Sequence, residues 1–148
     1  MAHIVKTHRE LAFDVPAEFV GRSDGYTGDL IVNEDDGGVQ MGFRVARLAA
    51  GGSVDTHVHS FEESFYVIDG ALTLDTPEGS VQLGAGDYAL VPVGMTHALR
   101  NTSGSIAEFA EMKAPLPRAR FGHDTQFSEA IATTKGAPVD VRDPRNRY

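Results

Sequence analysis

Residues 57–70 read HVHSFEESFYVIDG. The stretch opens with strand-like alternation and closes on Asp69-Gly70, a pair that favours a hairpin turn. Residues two apart on a strand point to one face, so His57 and His59 project together. Glu63 lies just past the Ser60-Phe61-Glu62 turn, at the start of the next strand. There an antiparallel neighbour brings its carboxylate to the same point. Imidazoles and a carboxylate inside a strand that buries apolar side chains are costly unless a partner satisfies them.

The sequence on either side repeats the strand pattern. Upstream, VQMGFRVARLA from Val39 reads as a strand with Val39, Met41, Phe43 and Val45 on one face, broken by Gly51-Gly52 before SVDTHVH resumes. SFYVI at 64–68 is apolar on both faces, as in a strand packed on each side. Downstream come ALTLD, a turn at Thr76–Gly79, SVQL, a turn at Gly84–Asp87, YALVPV, HALRN and IAEFAEM. Short strands with a turn every ten residues or so predict an all-β sandwich or barrel. No part of 39–113 has helical periodicity. We divide the chain into an N-terminal arm with short strands (1–38), a barrel (39–113) and an irregular C-terminal arm (114–148). Within that last arm FSEAIA at 127–132 reads as one helical turn.

Bulk properties narrow the classes. A chain of 148 residues, 41% hydrophobic, suits one domain with a real core. A formal charge of −8 offers no footprint for nucleic acid or an anionic membrane. The absence of cysteine excludes disulfides and thiolate ligands and fits a reducing compartment. The N-terminus carries no secretion signal and no run approaches a membrane span, so we expect a cytoplasmic protein.

A third imidazole, His97, follows Pro92-Val93-Gly94-Met95-Thr96. Three neutral imidazoles and one carboxylate suit a divalent transition metal: Mn, Fe, Co, Ni, Cu or Zn. Four protein ligands leave one or two positions open on a five- or six-coordinate ion, as a catalytic metal requires.

These residues also carry a family resemblance. Gly51-x5-His57-x-His59-x3-Glu63-x6-Gly70 matches the first cupin motif at every position. Gly86-x5-Pro92-x-Gly94-x2-His97-x3-Asn101 matches the second. The chain therefore resembles a small bacterial single-domain cupin. The resemblance implies a double-stranded β-helix, a jelly-roll barrel, binding one divalent metal through His57, His59, Glu63 and His97. The glycines and Pro92 are expected to supply turn geometry, and Asn101 to cap a turn.

Substrate residues are read from strand parity. Arg47 shares the face of Met41, Phe43 and Val45; if that face lines the barrel, its guanidinium binds a carboxylate near the metal, and otherwise it is an edge arginine leaning out to solvent. Phe65 and Val67 share parity with Glu63 and form an apolar pocket wall, while Tyr66 and Ile68 face outward. An apolar outer face suggests a covered surface, and we expect a homodimer. Glu62 reads as a solvated turn residue. His3, His8 and His123 have no partners at ligand spacing.

The resemblance implies a metalloenzyme acting on a small polar, carboxylated molecule, by dioxygenation, decarboxylation, isomerisation, elimination or hydrolysis. The competing reading is a non-catalytic module that binds or senses a small ligand through its metal.

Overall fold

The computed structural model describes residues 3–131 and, for the backbone alone, 139–140. Its strands are β1 (Ser23–Val32), β2 (Gly42–His59), β3 (Glu62–Asp69), β4 (Ala71–Thr76), β5 (Gly79–Gly84), β6 (Tyr88–Val91), β7 (His97–Arg100), β8 (Ala107–Ala114), β9 (Thr125–Phe127) and β10 (Val139–Asp140). They hydrogen-bond in the order β10-β5-β4-β7-β2-β8-β3-β6, with β1 and β9 also on β2. All pairings are antiparallel except β10 on β5. This is the expected all-β jelly-roll barrel.

β2 organises it. Its first half, Gly42–Leu48, pairs with β8, and its second half, from Ser53, pairs with β7. Gly51-Gly52 bends this strand instead of ending it. Gly51 takes φ +74, and a Cβ on Gly52 would meet Asp24 O at 2.7 Å. Asn101 holds the bend: its amide donates to Leu48 O and Ser105 O, and its Oδ1 caps Ser103 N.

The inward face of β2 carries Arg44, Ala46, Leu48 and Val54, then His57 and His59. The switch from even to odd positions coincides with a register shift against β7 between Val54 and His57, a bulge that re-aims the side chains beyond it. The expected apolar face is therefore corrected. Val39 and Met41 are exposed and precede the strand. Hydrophobicity misreads the parity because the inward set includes an arginine and an alanine.

Thr76–Gly79 joins β4 to β5 as a hairpin, with Thr76 opposite Gly79. Asp69-Gly70 does not make one. β3 lies between β8 and β6, whereas β4 lies between β5 and β7. Gly70 takes φ +74 and turns the chain across the barrel, pressed against the backbone of Ile106 and Ala107. The Asp-Gly signal marks positive φ correctly, but positive φ serves corners as well as hairpins. Likewise β8 separates β3 from β2, so Glu63 reaches the histidines across the barrel and not from a paired neighbour.

The N-terminal segment completes the fold. β1 pairs along β2, and a short 3-10 turn, Ala17–Phe19, drives the Phe19 ring into the barrel. Burying such a ring contributes about 1.5–3 kcal/mol. Phe19 meets Tyr26, His57 and Phe127 edge-on at centroid distances of 5.1, 5.5 and 5.8 Å. In the C-terminal segment, Phe127 ends strand β9 and residues 128–131 form no helix, so the helical turn expected from Phe127 is not formed over the described residues. Residues 132–138 and 141–148 of that arm lie outside the described residues.

Candidate metal centre

His57, His59, Glu63 and His97 converge, with one donor atom from each within 4.8 Å of all the others. His57 and His97 stand directly opposite on β2 and β7, their ring centroids 4.2 Å apart. His59 follows two residues on, with Nε2 3.1 Å from Glu63 Oε2; His97 Nε2 lies 3.1 Å from the same oxygen. All four side chains are buried, at 0–4% exposure. Phe19 seals the cluster beside His57, and Phe61 stacks on His59 at 4.2 Å.

The proton positions follow from the acceptors. His57 Nδ1 lies 2.6 Å from Asp55 O and His97 Nδ1 3.0 Å from Met95 O. A carbonyl only accepts, so both Nδ1 atoms carry hydrogen and both Nε2 atoms present lone pairs inward. His59 Nδ1 lies 3.0 Å from Thr125 Oγ1, whose hydroxyl donates to His123 O at 3.2 Å. That hydroxyl is thereby the acceptor for His59 Nδ1–H. Three imidazole lone pairs and a carboxylate facing one point repel one another unless a cation stands between them. The donor set fits a divalent transition metal.

Titration points the same way. Burial, reinforced by His97, pushes the His57 imidazole down to about 3, so it is neutral at physiological pH. Burial raises Glu63, but Lys113 and His59 outweigh it and hold this carboxyl well below its usual range.

Behind the cluster lies a buried ionic chain that the sequence reading missed. Lys113 Nζ sits 3.3 Å from Glu63 Oε1 and 3.5 Å from Glu111 Oε2. Arg44 Nη1 lies 3.5 Å from Glu111 Oε2 and donates to Tyr26 Oη at 3.1 Å, while Nη2 donates to Glu18 Oε1 at 2.8 Å. The Tyr26 hydroxyl donates to Glu111 Oε1. Burial, and then Glu111, raise Tyr26 well above its ordinary range, so it remains a donor. Lys113 and Arg44 line a cavity of about 180 Å³ at the barrel mouth. A signal was present: Phe109, Glu111 and Lys113 alternate on one strand face, continuing the core parity of Ala107.

Arg47 and Phe65 are not brought to a substrate space. The Arg47 guanidinium lies over Phe13 at 3.7 Å and donates to Glu108 Oε2 at 2.7 Å, on the outer side of β2. Phe65 is fully buried, packed between His97 and Phe109. Glu62 is exposed as expected. His8 pairs with Glu108, and His123 lines the mouth cavity with its Nδ1 3.7 Å from Glu18 Oε2.

Comparison with known proteins agrees with this geometry. A family model described as "Cupin domain" matches residues 44–112. Protein SchB of Streptomyces halstedii is 32% identical over 129 residues, covering 84% of this chain and 91% of that protein. Polyketide synthase CurC of Streptomyces cyaneus is 29% identical over 106 residues, 69% of each chain. Among solved structures, the polyketide cyclase RemF of Streptomyces resistomycificus aligns with a TM-score of 0.68 at 20% identity, covering 76% of this chain and 80% of that one. A Thermotoga maritima protein described as a predicted oxalate decarboxylase aligns with a TM-score of 0.66 at 22% identity, covering 76% and 100%. The motifs, the barrel, the converging ligand set and these relatives lead to one assignment: the chain belongs to the cupin family.

Proposed function

We propose that this cupin is a divalent-metal-dependent enzyme that acts on a small polycarbonyl molecule of the polyketide kind and promotes its cyclisation. The carrying observation is the convergence of three inward Nε2 lone pairs and the Glu63 carboxylate beside a cavity floored by Lys113 and Arg44. The names of CurC and RemF support the substrate class. A bound divalent ion supplies Lewis acidity toward a carbonyl or enolate oxygen.

The chain's own residues do the rest. His57, His59, Glu63 and His97 hold the ion, and Asp55 O, Met95 O and Thr125 Oγ1 fix the three rings. Phe19 and Phe61 exclude water from one side. Lys113 bridges the ligand carboxylate to the mouth cavity. We include in this reading a cytoplasmic homodimer closed through β3 and the edge strand β6. Tyr66, Ile68, Tyr88 and Leu90 there stand 44–57% exposed. Among the described residues no helix is long and apolar enough to cross a membrane.

A second reading, a non-catalytic module holding a ligand through its metal, rests on the depth of the cluster, where His97 is fully buried. One experiment separates them. Elemental analysis of the purified protein is followed by incubation of the metal-loaded and chelator-stripped forms with a linear 1,3,5-triketone, monitoring aromatic absorbance. Metal-dependent turnover supports the enzyme. Tight binding without turnover supports the binding module, and a protein without metal overturns both.

A further inference from the structure

Charge counting at the barrel mouth constrains what binds there. The buried chain holds three carboxylates, Glu18, Glu63 and Glu111, and two cations, Arg44 and Lys113. With neutral histidines the set has one net negative charge, and a divalent ion would turn this into one net positive charge. In a dry interior an excess charge of either sign calls for a counter-charge. The fixed donors also have spare capacity. Arg44 has a side chain only 5% exposed, yet among the described residues its Nε–H has no hydrogen-bond partner; Glu111 Oε2 also lacks one but stands 3.5 Å from both Arg44 Nη1 and Lys113 Nζ, which offset its charge. A buried donor left unmade is costly, and in native proteins it usually marks the place of a missing partner.

Arg44 and Lys113 both line the mouth cavity of about 180 Å³. Leu30, Leu116 and Pro117 also line it, so charged and apolar side chains share one cavity. Two exposed rim carboxylates, Glu34 and Asp35, are in water and screened. Glu18 and Glu111 already pair with Arg44, and His123 stands 3.7 Å from Glu18.

We propose that this cavity is an anion subsite. Arg44 Nε–H and the Lys113 ammonium would take the single anionic oxygen group (carboxylate, phenolate or enolate) of a ligand whose apolar body lies against Leu30, Leu116 and Pro117. The inference rests on the metal reading for its net positive charge. It specifies the ligand class: a singly charged, otherwise apolar molecule entering from the side of the barrel mouth.

The test is calorimetric titration of benzoate into zinc-loaded and zinc-stripped protein, with neutral benzamide as control and zinc content measured in each sample. Benzoate should bind the loaded form, and both benzoate on the stripped form and benzamide on the loaded form should bind at least ten-fold more weakly. Arg44→Lys keeps the charge and removes the Nε donor; it should weaken benzoate about ten-fold or more while retaining zinc, since a hydrogen bond to a charged group carries that much. Ala119→Trp, at an exposed position lining the same cavity, tests the site without disturbing the ionic chain. It should block benzoate and leave zinc in place. Loaded protein that ignores benzoate, equal binding by the stripped form, or full binding by both variants with zinc intact would overturn the subsite alone. A parent protein that takes up no zinc would overturn the metal reading and the subsite with it.

Discussion

Thr125→Val removes one hydroxyl and little else, and it tests how the site fixes its proton positions. In the parent, His59 Nδ1–H donates to Thr125 Oγ1 at 3.0 Å, leaving Nε2 bare toward Glu63 Oε2 at 3.1 Å. Valine has nearly the same shape but accepts nothing. The ring then gains by moving its proton to Nε2, where the Glu63 carboxylate accepts it. A hydrogen bond to a charged group contributes about 1.5–3 kcal/mol, and the incoming metal must break it. That converts to a loss of roughly ten- to a hundred-fold in metal affinity, the range found when outer partners of metal-bound histidines are removed. The assay is competition for zinc against a chelating chromophore, with ring-nitrogen NMR reporting the His59 tautomer. Thr125→Ser should restore both readouts. Unchanged zinc affinity with an Nε2-protonated ring would refute the reasoning, as would an Nδ1 proton that persists in the valine variant.

His97→Ala should lower metal affinity by orders of magnitude yet retain the β-sheet circular dichroism, because the apolar core does not include this side chain. Full metal retention by elemental analysis would remove His97 from the ligand set. For pH, the folded state pushes His57 down to about 3, so between about 3 and 6.5 the unfolded chain binds the extra proton and stability falls as pH falls. Unfolding free energies of the metal-free protein from urea titration at pH 7.5 and 5.0 should differ by about 2 kcal/mol from this group alone, and equal stability would contradict it. Gly70→Ala combines positive φ with a clash against the Ile106 carbonyl and should destabilise by about 2 kcal/mol or more. Gly86→Ala shares the positive φ but has open space around it, so thermal denaturation should show about 1 kcal/mol.

The convergence of His57, His59, Glu63 and His97 was legible because each sits at fixed spacing in a local motif. The strand pair His57 and His59 needs only the two-residue period, Glu63 follows the short Ser60-Phe61-Glu62 turn, and His97 follows a turn marked by Pro92 and Gly94. Arg47 lies on the outer side of β2, the second of its two sequence readings, for a physical reason. Apolar alternation is a guide to the inward face only where that face is apolar, and in β2 it carries Arg44, Ala46 and then two histidines after a bulge. Phe19 and Thr125 were out of reach altogether. Each enters the site from a segment outside residues 39–113 through tertiary pairing, Thr125 opposite His59 in β9 and Phe19 from a short 3-10 turn. Phe65 was read correctly as apolar and inward, but its place under His97 leaves no free surface for a ligand.

The ionic chain is also an argument about why the barrel is built as it is. Along β8 the inward side chains run Ala107, Phe109, Glu111, Lys113, so one strand passes from closed apolar core to charged mouth. Replacing buried ion pairs by apolar residues of similar volume is often neutral or stabilising. Folding alone therefore gives no reason to keep Arg44, Glu111 and Lys113 at 2–5% exposure. Tyr26 deepens the exception, because a buried phenol could be phenylalanine at no loss of packing, yet it donates to Glu111. A chain that places five charged groups and a phenol where Leu and Phe would serve departs from local rules at this end of the barrel. Such departures concentrate where a protein binds or reacts. Here they begin at a carboxylate that faces three histidines.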